Sequence, residues 1–99
     1  MSESLVRFET ALEILNSMIG FVVGEIALEE EKRQPDRVTL GRLHIKRQLL
    51  AFERRTLDAC DGAAIERVCR DYGSYLKRLR AGKTLVNESL ADRTPKGEN

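Results

Sequence analysis

Seven successive positions spaced by three and four, Leu5, Phe8, Leu12, Leu15, Ile19, Val22 and Ile26, are all apolar. A seam of this period belongs to one face of an α-helix, because a strand sends alternate residues to opposite sides. Ser2 or Ser4 can cap its start, and Pro35, which disfavours helical geometry at Gln34, marks its end. The spacing predicts a first helix over about residues 3–33, on the order of 45 Å long. In a chain of 99 residues, such a helix must organise the one modest core that this length supports.

The same helix carries a second stripe at sevenfold spacing, Ile14, Phe21 and Leu28, with Met18 beside it and Gly20 and Gly24 between the two stripes. One neighbouring helix covers one stripe. Each glycine costs about 1 kcal/mol relative to alanine, and small residues four apart permit close backbone approach. They serve either bulky neighbours within one molecule or an interface. The reading adopted is a helix buried on two sides and completed by a second chain, with Ile14, Met18, Phe21, Leu28, Gly20 and Gly24 at the interface.

Asp36 is placed to cap a second helix over about residues 37–60, weakened near its start by Gly41. Val38, Ile45, Leu49 and Phe52 form one apolar stripe on it, and Leu43, Leu50 and Leu57 form another. The short link after the first helix predicts an antiparallel αα-hairpin. Asp61-Gly62 ends the second helix and caps a third, over about residues 63–81, with Glu66 in its first turn. Ile65, Val68, Cys69, Tyr72, Tyr75, Leu76 and Leu79 fall in one narrow arc, which predicts a single buried face. Gly82 fits just past the helix end, Arg78, Arg80 and Lys83 suit its dipole, and Leu85, Val86 and Leu90 allow one further weak turn. The expected fold is therefore all-α: a long antiparallel helical hairpin plus a third helix, bundle-like, in one domain over residues 1–82, dimerising through helix one. Residues 83–99 are expected as a mobile tail.

Hydrophobic residues make up 41% of the chain and charged residues 33%, which suits long helices with wet outer faces and argues against disorder. The most apolar run, Ile14 to Leu28, contains Asn16, Ser17 and Glu25, and reads as too short for the roughly 18 residues of a membrane span. The first residues lack the basic segment of a secretory signal, so a cytoplasmic location is expected. Cys60 and Cys69, nine apart across a turn, are expected as buried thiols in a reducing compartment, too far separated for a disulfide.

The formal net charge of +1 hides an asymmetry: residues 1–31 hold seven acids and one base, whereas residues 32–83 hold fourteen bases and six acids. The simplest expectation is an acidic first helix docked by complementary rims against basic second and third helices. Glu29, Glu30 and Glu31 sit at a helix C-terminus, where the dipole disfavours acids, and Glu29 is expected to pair with Arg33, or with Arg37 or Arg42 across the turn. The basic stretch also raises nucleic acid, with Arg42, Lys46, Arg47, Arg54, Arg55, Arg67 and Arg70 as candidate phosphate contacts. No aromatic is interleaved for stacking, and Glu53, Glu66 and Asp71 interrupt the positive field.

Catalysis has little to build on. His44 is the single histidine, so no His-rich or paired-cysteine metal site forms within one chain. It is expected at the flank of helix two, near Glu25. No phosphate-cradling glycine loop or nucleophile elbow is present. The expectation is a non-enzymatic, cofactor-free protein-interaction module, a homodimer that binds and regulates or inhibits a partner protein in the manner of an adaptor, antitoxin or inhibitor. It takes no small-molecule substrate and binds no membrane. The alternative is a nucleic-acid-binding accessory protein contacting phosphates through helices two and three.

Overall fold

The computed structural model describes residues 2–81. All regular structure among them is helical: α1 spans Glu3–Glu30, α2 spans Arg37–Thr56, and a third rod is formed by α3 (Gly62–Arg67), a π-helical turn (Val68–Tyr72) and α4 (Gly73–Arg80). Gly82, Lys83, the weak turn at Leu85, Val86 and Leu90, and the tail 83–99 lie outside the described residues.

The three starts follow from side-chain caps. The Ser2 hydroxyl accepts the N–H of Leu5 at 3.2 Å, Asp36 accepts the N–H of Val38 at 3.1 Å, and Asp61 accepts the N–H of Ala64 at 3.1 Å. Each satisfies an amide that the helix itself cannot.

Two helices end earlier than their sequence patterns suggest. α1 stops at Glu30 instead of 33, because Glu29 turns inward and anchors the connection: its carboxylate accepts the N–H of Asp36 at 2.8 Å and pairs with Lys32 at 2.8 Å. The expected partner Arg33 is displaced by Lys32, three residues on rather than four. α2 stops at Thr56 instead of 60, since Leu57 is extended and Asp58 builds a turn by accepting the N–H of Cys60 at 2.9 Å. Cys60 therefore lies in the connection and is exposed, contrary to the expected buried thiol, whereas Cys69 is half-buried with its thiol 3.9 Å from the Arg7 carbonyl.

The core of α1 runs along Leu15, Val22 and Ile26 of the first stripe together with Ala11 and Met18, which lie on the side of it facing the second stripe. Because α1 packs against both α2 and the third rod, its most buried line is the bisector of those contacts. Phe8, Ile14, Ile19 and Phe21 flank that line half-buried, and Leu5, in the first turn, is exposed. Leu43 and Leu50 of α2 and Ile65, Val68, Leu76 and Leu79 of the third rod complete the core.

The π turn explains how the third rod keeps one buried face. From Val68 to Leu76 is eight residues, which in a regular α-helix overshoots two full turns by about 80°. The wider π turn between them absorbs the overshoot, so both side chains are buried. Just beyond it, Gly73 faces Ile14 of α1: a Cβ on Gly73 would lie 3.7 Å from the Ile14 Cδ1. The rod runs beside α1 in the same sense, with Glu66 at Arg7, Gly73 at Ile14 and Arg80 at Ser17.

By length and composition α1 is long and apolar enough to cross a membrane, since it contains an 18-residue window of mean hydropathy 1.6. That corrects the shorter span read from Ile14 to Leu28: Asn16, Ser17, Gly20 and Gly24 interrupt the apolar pattern without adding charge. The core helix of a bundle passes the same test, and α1 supplies the central strip of this core.

Candidate interaction surface

Charge and apolar pattern are arranged on this bundle in a way the docked-rim expectation does not anticipate. Among the described residues no ion pair joins an acid of α1 to a base of α2 or of the third rod. The pair that links α1 to the third rod has the opposite sense, Arg7 with Glu66 at 2.6 Å. The other pairs are Lys32 with Glu29, Arg67 with Glu53 at 2.9 Å, and Arg70 with Asp71 at 3.0 Å. The reason is geometric. The inner faces of α1 are apolar, so Glu9, Glu13, Glu30 and Glu31 stand on exposed positions.

Glu53 instead ties α2 to the third rod. One carboxylate oxygen binds Arg67, and the other accepts the Tyr72 hydroxyl at 2.9 Å. Burial, reinforced by this hydrogen bond to a carboxylate, holds the Tyr72 hydroxyl above its ordinary pKa. The contact is structural: it sets the spacing between two helices.

The residues assigned to the dimer interface separate into three environments. Met18 is only 1% exposed and belongs to the core centre. Ile14 and Phe21 are half-buried against that core, with Ile14 also lining a shallow cleft of about 410 Å³ between α1 and α4, together with Ser17, Leu76 and Arg80. Gly20, Gly24 and Leu28 are exposed, and a Cβ at either glycine would meet nothing within 4 Å.

Of the candidate phosphate contacts, Arg67 and Arg70 are engaged by Glu53 and Asp71. Arg55 lies over the Phe52 ring at 5.4 Å and Lys46 over the Tyr75 ring at 6.0 Å. Arg47 is half-buried, with its Nε in the interior and without a hydrogen-bond partner among the described residues. Arg42 and Arg54 are exposed. His44 is half-buried on α2, and no hydrogen bond or ion pair among the described residues joins it to Glu25. No cluster of three or more potential metal ligands occurs among the described residues.

What stands out is α2. Leu43 and Leu50 face the core, and on the opposite side Val38, Ile45, Leu49 and Phe52 are between 56% and 64% exposed. Four large apolar side chains at spacings of seven, four and three form one exposed helical seam, and Arg55 of the same helix lies over the ring of Phe52. No protein-family model, curated protein or solved structure matches this chain. The surface itself is what any functional reading must rest on. The sequence contained both stripes of α2 with equal weight, and the missing signal was which of them α1 would cover.

Proposed function

We propose that this chain is a small protein-interaction module of adaptor, antitoxin or inhibitor type, acting in the cytoplasm as a dimer to regulate or inhibit a partner protein. In this reading α1 and α2 form an antiparallel hairpin braced by the third rod, and the hairpin presents helix faces to other chains. The observation that carries it is the stripe Val38, Ile45, Leu49 and Phe52, on the face of α2 opposite Leu43 and Leu50. Leaving side chains exposed to that degree forgoes about 1–2 kcal/mol each relative to full burial. A seam of that kind is retained where something covers it. Catalysis and cofactor binding play no part in this reading.

The phosphate-binding alternative has less support, because Arg67, Arg70, Arg55 and Lys46 are drawn into contacts within the molecule. The test is affinity capture from the host with the full chain and with a Leu49→Asp, Phe52→Asp variant, each with and without nuclease. A protein retained by the native chain, lost with the variant and insensitive to nuclease is the expected result. Retention of nucleic acid alone, or of the same proteins by both chains, would refute the reading.

A further inference from the structure

The outer half of α2 is apolar and cationic. Arg42 stands four residues from Val38, three from Ile45 and seven from Leu49, which places its exposed side chain within the stripe. Arg55 lies over the Phe52 ring at the far end. Neither guanidinium is paired with a carboxylate among the described residues. The one acid of α2, Glu53, is turned away to Arg67 and Tyr72. Asp36 is occupied in capping, with bonds from the Val38 N–H and the Thr39 hydroxyl. On the other edge of the line from Val38 to Ile45, Gly41 is exposed, and a Cβ there would meet nothing within 4 Å.

We propose that the stripe takes an acidic amphipathic helix of a partner protein, with a carboxylate of that helix paired to Arg42. This rests on the reading that the chain acts by binding a partner protein, and states that partner's chemistry. Whatever covers Ile45 and Leu49 also takes Arg42 out of water, and a charge left without a counterpart in such a contact is strongly unfavourable. A carboxylate opposite it turns the same burial into a charge-assisted, bidentate hydrogen bond. A second copy of α2 does not supply one, since Glu53 is engaged and arginine would approach arginine. The area fixes the shape of the occupant. The four stripe side chains expose on the order of 400 Å², about half of the ~800 Å² per partner in a standard interface, which suits a single helix laid along α2 better than a globular face. Val38 and Phe52 are fourteen residues apart, about 21 Å of helix, so a partner helix of about fifteen to twenty residues spans them. The open space over Gly41 lets that helix approach closely and seat a large side chain.

Three synthetic helices of about twenty residues test the proposal, each with the same leucine seam and with glutamate, glutamine or lysine on its flanks. Their binding to the full chain is followed by fluorescence anisotropy at about 0.15 M salt. The glutamate helix should bind at least about tenfold more tightly than the glutamine helix, and the lysine helix should not bind. Leu49→Asp should abolish binding. Arg42→Gln should weaken the glutamate helix about tenfold, whereas Arg54→Gln, an equal loss of charge on the Leu50 side of α2, should weaken it less than about twofold. Each variant is checked for native melting by circular dichroism. A glutamate helix that fails to bind, a glutamine helix that binds as tightly, or equal effects of Arg42→Gln and Arg54→Gln would each overturn the proposal. Retention of the chain on anionic phosphatidylglycerol vesicles that the glutamate helix does not displace would do the same, since the stripe would then serve a lipid surface. If Arg42→Gln leaves the capture of a host protein through Leu49 and Phe52 intact, the acidic partner is lost and the broader reading stands.

Discussion

Leu49 and Leu50 are chemically identical neighbours on α2 that face opposite environments, 64% and 4% exposed. Replacing each by alanine therefore isolates burial, since the change in helix propensity is the same at both. Leu50→Ala removes a side chain packed into the core beside Leu43, and truncations of that kind cost about 2–5 kcal/mol. Leu49 already leaves about two thirds of its surface in water, so Leu49→Ala forfeits at most about a third of the 1.5–3 kcal/mol associated with a fully buried leucine, or under about 1 kcal/mol. For a domain of this size 1 kcal/mol moves the melting temperature by about 4–8 °C. The expected shifts are thus about 8 °C or more for Leu50→Ala and less than about 8 °C for Leu49→Ala, measured by thermal circular dichroism at low protein concentration. Equal shifts at both positions, independent of concentration, would mean that the stripe is buried within the folded monomer, and the argument for an interaction surface would fail.

Glu29 yields a pH prediction. Hydrogen bonds from Lys32 and from the Asp36 amide hold its carboxyl below the ordinary pKa, so its contribution is present above the unfolded-state value and lost as pH falls through the lowered one. Asp36, held low by Thr39 and the Val38 amide, acts in the same direction, whereas Glu25, raised by burial and by the nearby Glu29 charge, acts in the opposite one. The difference in melting temperature between native chain and Glu29→Gln should shrink between pH 7 and pH 3; a constant difference would remove Glu29 from that role. Gly20→Ala and Gly24→Ala should each stabilise the monomer by about 0.5–1 kcal/mol in urea unfolding, because both sites are open; destabilisation would show that the space is occupied. Tyr72→Phe should cost about 0.5–1.5 kcal/mol through loss of its bond to Glu53, and Glu53→Ala should cost more, because it frees Arg67 as well. An effect of Tyr72→Phe exceeding that of Glu53→Ala would contradict the bridging arrangement.

The helices were legible because their signals are local. Ser2, Asp36 and Asp61 cap through their own side chains, and an apolar period of three and four survives without knowledge of the neighbours. The assignment of faces was not legible, because it depends on where other helices lie. On α1 the middle of the first stripe is buried at Leu15, Val22 and Ile26, whereas the second leaves Leu28 exposed, and the core is completed by Ala11 and Met18 beside the first stripe. Ala11 was invisible to a pattern of large side chains. On α2 the stripe with Phe52 and the stripe with Leu50 were indistinguishable until α1 covered one of them. The inward turn of Glu29 depends on an amide seven residues away, and short-range pairing rules that favour Arg33 do not reach that far. The π turn arises from a phase conflict between Val68 and Leu76, which appears only once both must face the same helix.

That phase conflict bears on the order in which the molecule assembles. α3, the π turn and α4 follow one another without a gap from Gly62 to Arg80, but the 5 residues in the middle depart from the regular α pattern. The π turn between them interrupts the regular bonding that would let one extend the other. The third rod is therefore the weaker helix on its own, whereas α1, with 28 residues, can nucleate alone and α2 can add to it through the Glu29 anchor. Folding should proceed from the α1–α2 pair outward, and spontaneous opening should begin at the other end. Backbone amides of residues 62–80 are expected to exchange with deuterated solvent first, and those around Leu15 and Val22 last.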